Sequence, residues 1–386
     1  MNIAVILQSP DIGGAETLTA SLIDSFTKQK QKVILATNNT ELINLVNKNS
    51  IYSFKKLPFI IDIAGDKRGF VKTIALFPWA LFFYIRLFVF LKKNKIDVIL
   101  VSGFSEKLLT TFVSIFFKIP VVWIEYGSLN IFFEKHLKIP KIIYYLLSKF
   151  PKYVVVPSIS TQNKILEETN IKPEKVKLIY NGVRIQTNVH KNFKLIKDLN
   201  IEGKFVIGNV SRLTREKGQE YLIKAMPKIL GDVPNAILLI VGRGPDNKYF
   251  QNIAQKLEIS DKIKFVGYVE NLEDYYCVMD VFVFPTTWDL EGFGMVMVEA
   301  MSYGLPVIGS DFGPVKEVVG NRMTGFLVPV KNSKEIAEAV IKLSKDTRLK
   351  KKMGERGYEK AKSDFNLSKS SKTYLDLLKN VAKRYN

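Results

Sequence analysis

Residues 281–301 read VFVFPTTWDLEGFGMVMVEAM. The opening apolar run, 281–285, is short and continuous, as a strand buried on both faces should be. A polar loop follows, and from Met295 the residues are good helix formers, so a helix is predicted to start near Gly294. A buried strand leading through a glycine-bearing loop into a helix is the repeating unit of a parallel α/β sheet. Gly292 and Gly294 bare the backbone where the loop enters the helix. The free N–H groups and positive dipole end of that helix make an anion site. Glu291 and Glu299 stand eight residues apart, one in the loop and one more than a turn inside the helix. Carboxylates accept hydroxyl hydrogen bonds well, so this pair suits a long ligand with sugar hydroxyls on both sides of a central anion.

The same unit recurs outward in both directions. Upstream, an apolar run at 205–210 leads into Ser211-Arg212-Leu213-Thr214-Arg215-Glu216-Lys217-Gly218. Arg212 and Lys217 there are cations at the carboxyl end of a strand, able to neutralise a diphosphate at about 1.5–3 kcal/mol per charged hydrogen bond. At the start of the chain, a run at 3–7 precedes Gly13-Gly14-Ala15-Glu16, whose glycines let backbone amides approach a phosphate or sugar. It is neither a GxGxxG fingerprint nor a P-loop, which weakens nicotinamide and ATPase readings. Strands are predicted at 3–7, 33–36, 98–101, 121–124, 153–156 and 176–179. After the polar stretch 184–202 they resume at 205–210, 237–241, 263–266, 281–285, 306–309 and 326–328. Helical patterns lie between them, and the chain from Ser333 onward reads as two or three amphipathic helices. The fold class is therefore α/β, with two Rossmann-like, doubly wound parallel sheets joined near residue 190 and facing a cleft. The 386-residue length agrees with two domains.

Composition excludes several chemistries. One cysteine, Cys277, leaves no internal disulfide. Two histidines, His136 and His190, argue against a His-based metal site or a Ser-His-Asp triad, so acid–base work falls on carboxylates or on the substrate. No Asp-X-Asp motif is present, so the diphosphate charge falls to Arg212, Lys217 and the helix start at Gly294. The net charge of +20 is uneven: residues 1–200 hold 28 Lys/Arg against 14 Asp/Glu, whereas residues 201–300 hold 11 against 14. A basic first half points to an anionic partner. Its cations are not interleaved with aromatic residues in a nucleic-acid motif, so an anionic membrane surface is the expected partner and nucleic acid is not. The apolar stretch 74–90 holds Pro78 and Arg86 and reads as a buried or membrane-surface helix rather than a spanning one. No signal peptide is visible, and the expected location is cytoplasmic, peripheral on the inner face of the membrane.

Together these segments resemble the retaining glycosyltransferases of family 4, which have the GT-B fold. Glu291 to Glu299 matches the E-x7-E signature, with Gly292-Phe293-Gly294 in its usual context. Arg212 with Lys217, Gly13-Gly14, Asn181-Gly182-Val183, Val241-Gly242-Arg243-Gly244-Pro245 and the block from Glu299 to Ile308 are also similar to the family. The resemblance covers nearly the whole chain.

The resemblance implies a metal-independent, retaining transferase of the hexosyltransferase type, with a nucleotide-sugar co-substrate (UDP favoured) and no cofactor. Its acceptor would be a saccharide or lipid-linked glycan of the cell envelope. It implies that Arg212 and Lys217 bind the diphosphate, Glu299 the ribose hydroxyls and Glu291 the transferred sugar. Backbone from Phe293 through Gly294 and Met295 to Val296 would hold sugar and phosphate, with Gly242 also on the donor side, and Gly14 would close over the diphosphate. The implied domains are an acceptor domain over 1–185, a donor domain over 200–364, and a final helix, 365–386, returning to the first. Two positions depart from the family. Glu125-Tyr126-Gly127 stands where a His-Gly pair is usual, making Tyr126 and Glu125 candidate sugar or acceptor contacts. Arg184 follows Val183 where an aspartate is usual. The alternatives are a nucleotide-sugar epimerase of the same fold and a basic membrane- or nucleic-acid-binding module without catalysis.

Overall fold

The computed structural model describes residues 1–9, 13–46, 53–56, 67–187, 189–288 and 290–383. The chain forms two compact units, Met1–Gly182 with Leu367–Asn386, and Val183–Asn366. The division falls at 182/183 and 366/367 because the two passes of the chain pair there: Val183 N–H donates to the Phe365 carbonyl at 2.8 Å, and Val183 bridges Asn366.

The first unit is a seven-stranded sheet of β1 (Asn2–Leu7), β2 (Lys32–Thr37), β3 (Ser53–Lys56), β4 (Val98–Val101), β5 (Val121–Ile124), β6 (Tyr153–Val156) and β7 (Val176–Leu178). The order is β3-β2-β1-β4-β5-β6-β7 and every pairing is parallel. Side chains alternate between faces along each strand. Ile3, Val5 and Leu7 join one core with helix Gly14–Lys28 and helix Leu367–Lys383. Ala4, Ile6, Ile99 and Trp123 join the other, under helices Lys67–Lys93, Phe104–Phe117 and Ile139–Leu147. The last helix is tied down by Tyr374, Leu378 and Val381 in the core and by Ser370 Oγ donating to the Tyr180 carbonyl at 2.8 Å. The expected helix 365–386 is present over Leu367–Lys383, with 384–386 outside the described residues; Phe365 instead stacks edge-on against Phe293 in the second unit.

The second unit is a six-stranded parallel sheet of β8 (Phe205–Val210), β9 (Ala236–Val241), β10 (Ile263–Gly267), β11 (Val281–Phe284), β12 (Val307–Ser310) and β13 (Gly325–Val328), ordered β10-β9-β8-β11-β12-β13. All twelve strands read from the sequence are present within one or two residues at either end. The exception to the reading is β3, an added edge strand of sequence SFKK, whose two lysines carry no buried-strand signal. In each sheet the order reverses once, between β1 and β4 and between β8 and β11. Such topological switch points are where open α/β sheets hold ligands, beyond the carboxyl ends of the strands.

Candidate functional site

The loops that follow β8 and β11 stand side by side at the second switch point. The β8 loop is anchored by a buried polar chain. Asn209 Nδ2 donates to the Val283 carbonyl at 2.8 Å, and Ser211 Oγ donates to Asn209 Oδ1 at 3.1 Å. Gln219 Nε2 then donates to Ser211 Oγ at 2.8 Å and to the Arg212 carbonyl at 2.7 Å. The β11 loop is pinned to it by the Glu216 carbonyl, which accepts from Thr287 N–H at 2.8 Å and from the Thr286 and Thr287 hydroxyls. These bonds place Lys217 against Glu291.

Lys217 Nζ and Glu291 Oε2 are 2.6 Å apart, with side chains 12% and 10% exposed. The ammonium also lies 4.5 Å from the centre of the Trp288 ring and 5.6 Å from that of Phe284. A cation over an indole face gains from the ring quadrupole. Arg212 has an exposed side chain beside this pair in sequence and a carbonyl fixed by Gln219. The helix Met295–Ser302 begins directly after Gly294, whose φ of +82° places it in the left-handed region that favours glycine. Among the described residues no side chain caps that helix start. Phe293 is buried, so Phe293 offers a ligand its backbone and not its ring. Lys217, Glu291 and the helix start therefore assemble at one end of one sheet, with Met295 and Val296 in the first turn.

Glu299 lies one turn further along the helix. Its Oε2 accepts from the Tyr276 hydroxyl at 2.8 Å, and Tyr276 stacks on Tyr303 with ring centres 5.3 Å apart. Burial raises the Glu299 carboxyl above the ordinary carboxylate range, and the Tyr276 bond offsets part of the rise. The folded chain therefore holds this proton to higher pH than the unfolded chain. Stability is lost as pH climbs through the unfolded and then the folded pKa, and stays lower above both. Glu299→Gln removes that penalty and keeps an oxygen for Tyr276. Its melting temperature is expected to exceed that of the wild type at neutral pH and to converge with it in acid. A difference independent of pH would contradict the assignment.

Four of the residues expected at the site pack or bond within the chain. Gly242 N–H donates to the Gly267 carbonyl at 2.8 Å, and a Cβ there would lie 2.0 Å from the Ser211 carbonyl oxygen. Its glycine serves the crossing of two loops, and its amide is not offered to a donor. Gly13 N–H donates to Glu16 Oε2 at 2.8 Å, so the amide at the start of helix Gly14–Lys28 is internally satisfied and Gly14 opens the helix. Glu125 is 3% exposed. Its Oε2 is 2.6 Å from Lys107 Nζ, and its Oε1 accepts from Tyr144 at 2.9 Å. It braces the end of β5. The Tyr126 hydroxyl is buried near Thr19, Ser102 and Glu16, and desolvation raises its pKa. Tyr126 thus packs, partly buried, against the core beneath helix Gly14–Lys28.

Several contributors were not anticipated. Trp288 lies inside the quoted stretch, where a lone aromatic in a loop has no periodicity to mark it. Tyr276 sits on the four-residue helix Glu273–Tyr276, too short for a pattern. Gln219, buried at the start of helix Gln219–Asp232, reads in sequence as an ordinary helix residue. Among the described residues no group of three or more His, Cys, Asp or Glu side chains is arranged to hold a metal ion.

Comparison with known proteins agrees with this architecture. The family description "Glycosyl transferases group 1" matches residues 191–360 and "Glycosyltransferase Family 4" matches residues 12–187. The chain is 30% identical over 234 residues to N-acetyl-alpha-D-glucosaminyl L-malate synthase of Bacillus anthracis, an alignment covering 58% of this chain and 60% of that protein. It is 34% identical over 157 residues to a GDP-mannose-dependent alpha-(1-6)-phosphatidylinositol monomannoside mannosyltransferase of Mycobacterium tuberculosis, covering 39% of this chain and 41% of that one. The chain thus spans roughly half the length of these curated relatives. The crystal structure of Anabaena HepE with UDP and glucose superposes with a TM-score of 0.83 at 21% identity, over 98% of this chain and all of that one. The two parallel sheets, their switch-point loops and both family matches converge: the chain belongs to glycosyltransferase family 4 and has the GT-B fold.

Proposed function

We propose that this glycosyltransferase moves a sugar, with retention, from a UDP-sugar to a saccharide or lipid-linked acceptor of the cell envelope, without a metal ion. The observation that carries the reading is the Lys217–Glu291 pair, 2.6 Å apart beside the helix start at Gly294. In the reaction the bond between the anomeric carbon and the β-phosphate oxygen breaks. A bond from that carbon to the acceptor hydroxyl oxygen forms on the same face. The hydroxyl proton passes to the departing phosphate oxygen, so no protein base is required. Arg212 and Lys217 stabilise the charge that builds on the diphosphate, the dominant kind of catalytic term. The Met295 helix start supplies backbone N–H groups to the same phosphates. Glu291 gives its Oε2 to Lys217, and we assign its Oε1 to a hydroxyl of the transferred sugar. Glu299 accepts from ribose hydroxyls, exchanging its bond to Tyr276 for a bond to the ligand.

UDP is favoured because the HepE structures hold UDP and UDP-glucose. A glycolipid acceptor is favoured because the mycobacterial relative acts on a phosphatidylinositol mannoside, as its name states. The test is a panel of UDP- and GDP-sugars, scored by thermal shift and by slow donor hydrolysis, then by the anomeric configuration of the transferred sugar. The expected outcome is stabilisation by a UDP-sugar, an α-linked product from an α-donor, and a rate unchanged by EDTA. An inverted product overturns retention. Loss of the rate in EDTA, restored by Mg²⁺, overturns metal independence. Interconversion of donor sugars without transfer selects the epimerase reading.

A further inference from the structure

The helix Lys67–Lys93 of the first unit has two apolar faces. Ala80, Tyr84, Leu87 and Leu91 are buried in the core beneath it. Phe82, Ile85 and Val89 each precede one of these core positions by two residues, so at 3.6 residues per turn they point the opposite way. They are exposed, as are Val71, Ile74 and Trp79, the last at 67%. A helix on the surface of a globular protein carries polar residues on that side. The apolar surface continues onto the neighbouring helix Phe104–Phe117 through Phe112, Ile115 and Phe116, the last 71% exposed. It extends onto Ile139–Leu147 through Ile142 and Leu146. Lys92 Nζ donates to the Phe117 carbonyl at 3.1 Å, and Phe70 stacks at 4.0 Å on His136, in the turn that precedes helix Ile139–Leu147. Between His136 and Lys138 three successive residues adopt positive φ, and Leu137 among them is 93% exposed. A contiguous exposed patch of this kind marks an interaction surface.

The charges around the patch decide the partner. Helix Lys67–Lys93 carries six Lys or Arg and no Asp or Glu. Residues 131–152 carry five lysines and one acid, Glu134, which pairs with Lys138 at 3.4 Å. Two copies of this face would bring like charges together, which opposes self-association. An anionic bilayer surface matches both the apolar centre and the cations, of which Arg86 lies over the Phe82 ring at 5.7 Å. By length and composition the helix is long enough to cross a membrane, with a mean hydropathy of 2.1 over its most apolar window. Its inner face, however, is part of the sheet's core, and a spanning helix would have to leave it.

We propose that this face docks the protein onto an anionic lipid leaflet, with the outer side of helix Lys67–Lys93, Phe116 and Leu137 buried at the acyl boundary. The inference stands on the first unit and does not depend on the donor chemistry of the second. The test uses the full chain with phosphatidylcholine vesicles, with and without phosphatidylglycerol. Flotation is expected with phosphatidylglycerol at low salt and to weaken by about tenfold or more without it, since each cation near the surface contributes about a fivefold factor. Trp79 emission is expected to shift to the blue and to be quenched by brominated acyl chains, and Trp79→Phe removes the signal. The triple variant Trp79→Ser, Phe82→Ser, Phe116→Ser is expected to lose binding while keeping the wild-type melting temperature and donor hydrolysis. Alkaline carbonate is expected to release the bound protein. Absence of flotation in every condition overturns the proposal. So does resistance to carbonate, which marks a spanning helix, or self-association abolished by the triple variant, which marks an interface between copies.

Discussion

Lys217→Ala is expected to lower kcat/KM by about a thousandfold, roughly 4 kcal/mol of transition-state stabilisation, as loss of a charge-stabilising donor at a developing anion does. The same substitution leaves Glu291 buried at 10% exposure with no cation at 2.6 Å, so it also destabilises the second unit. Stability and catalysis then separate in a double-mutant cycle. Glu291→Ala alone abolishes transfer and strands the ammonium between Trp288 and Phe284. The double variant Lys217→Ala, Glu291→Ala regains much of the melting temperature lost by either single variant, because no unpaired charge remains. It regains no activity, because the diphosphate still lacks its cation and the sugar its carboxylate. Wild-type turnover in Glu291→Ala would remove that residue from the reaction. Recovery of turnover in the double variant would reduce the pair to a structural one.

Glu125→Gln is expected to cost the first unit about 3–5 kcal/mol, a large share of a typical domain's stability. The cause is Lys107, which is 2% exposed and held by Glu125 and by the Ile124 carbonyl at 3.2 Å. Glutamine keeps the acceptor for Tyr144 and removes only the charge, so the loss reports the stranded ammonium. Burial already lowers the Lys107 pKa, with Glu125 acting against the fall. Without Glu125 the folded state binds the Lys107 proton less firmly than the unfolded chain does. Stability therefore rises with pH between the folded and unfolded pKa values, and the deficit of the variant shrinks in alkali. The double variant Lys107→Met, Glu125→Gln is expected to recover most of the loss. Urea denaturation with hydrogen exchange read on β5 checks this in the first unit alone. Equal losses in the single and double variants would show that packing at this position, and not charge, is responsible.

The residues differ in how openly they declared themselves. Strands such as Val281–Phe284 were legible because a parallel strand buried on both faces is a continuous apolar run, a property of a few adjacent residues. Ser53–Lys56 was not, because an edge strand needs only backbone partners and carries any side chain. Arg212, Lys217 and Glu291 stood out as a family pattern in glycine-bearing loops, and Glu299 in the helix that follows. The partners of Glu125 and Tyr126 were not legible, because which way a side chain points at a strand's end depends on what packs beneath it. For Tyr126 that is the Thr19 and Ser102 neighbourhood under helix Gly14–Lys28.

The sequence by itself determined the two parallel sheets, the loops that carry the glycines and cations, and the basic balance of the first half, because each is set by local composition and spacing. Only the tertiary structure decided that Lys217 meets Glu291 across 74 positions of chain, that Tyr276 holds Glu299, and that Lys107 is buried on Glu125. It alone showed that the outer face of helix Lys67–Lys93 is left bare. The physical reason is the same in each case. A side chain's partner and its desolvation follow from which distant segments the sheet order brings together, and periodicity along the chain cannot distinguish an apolar face that is covered from one that is not.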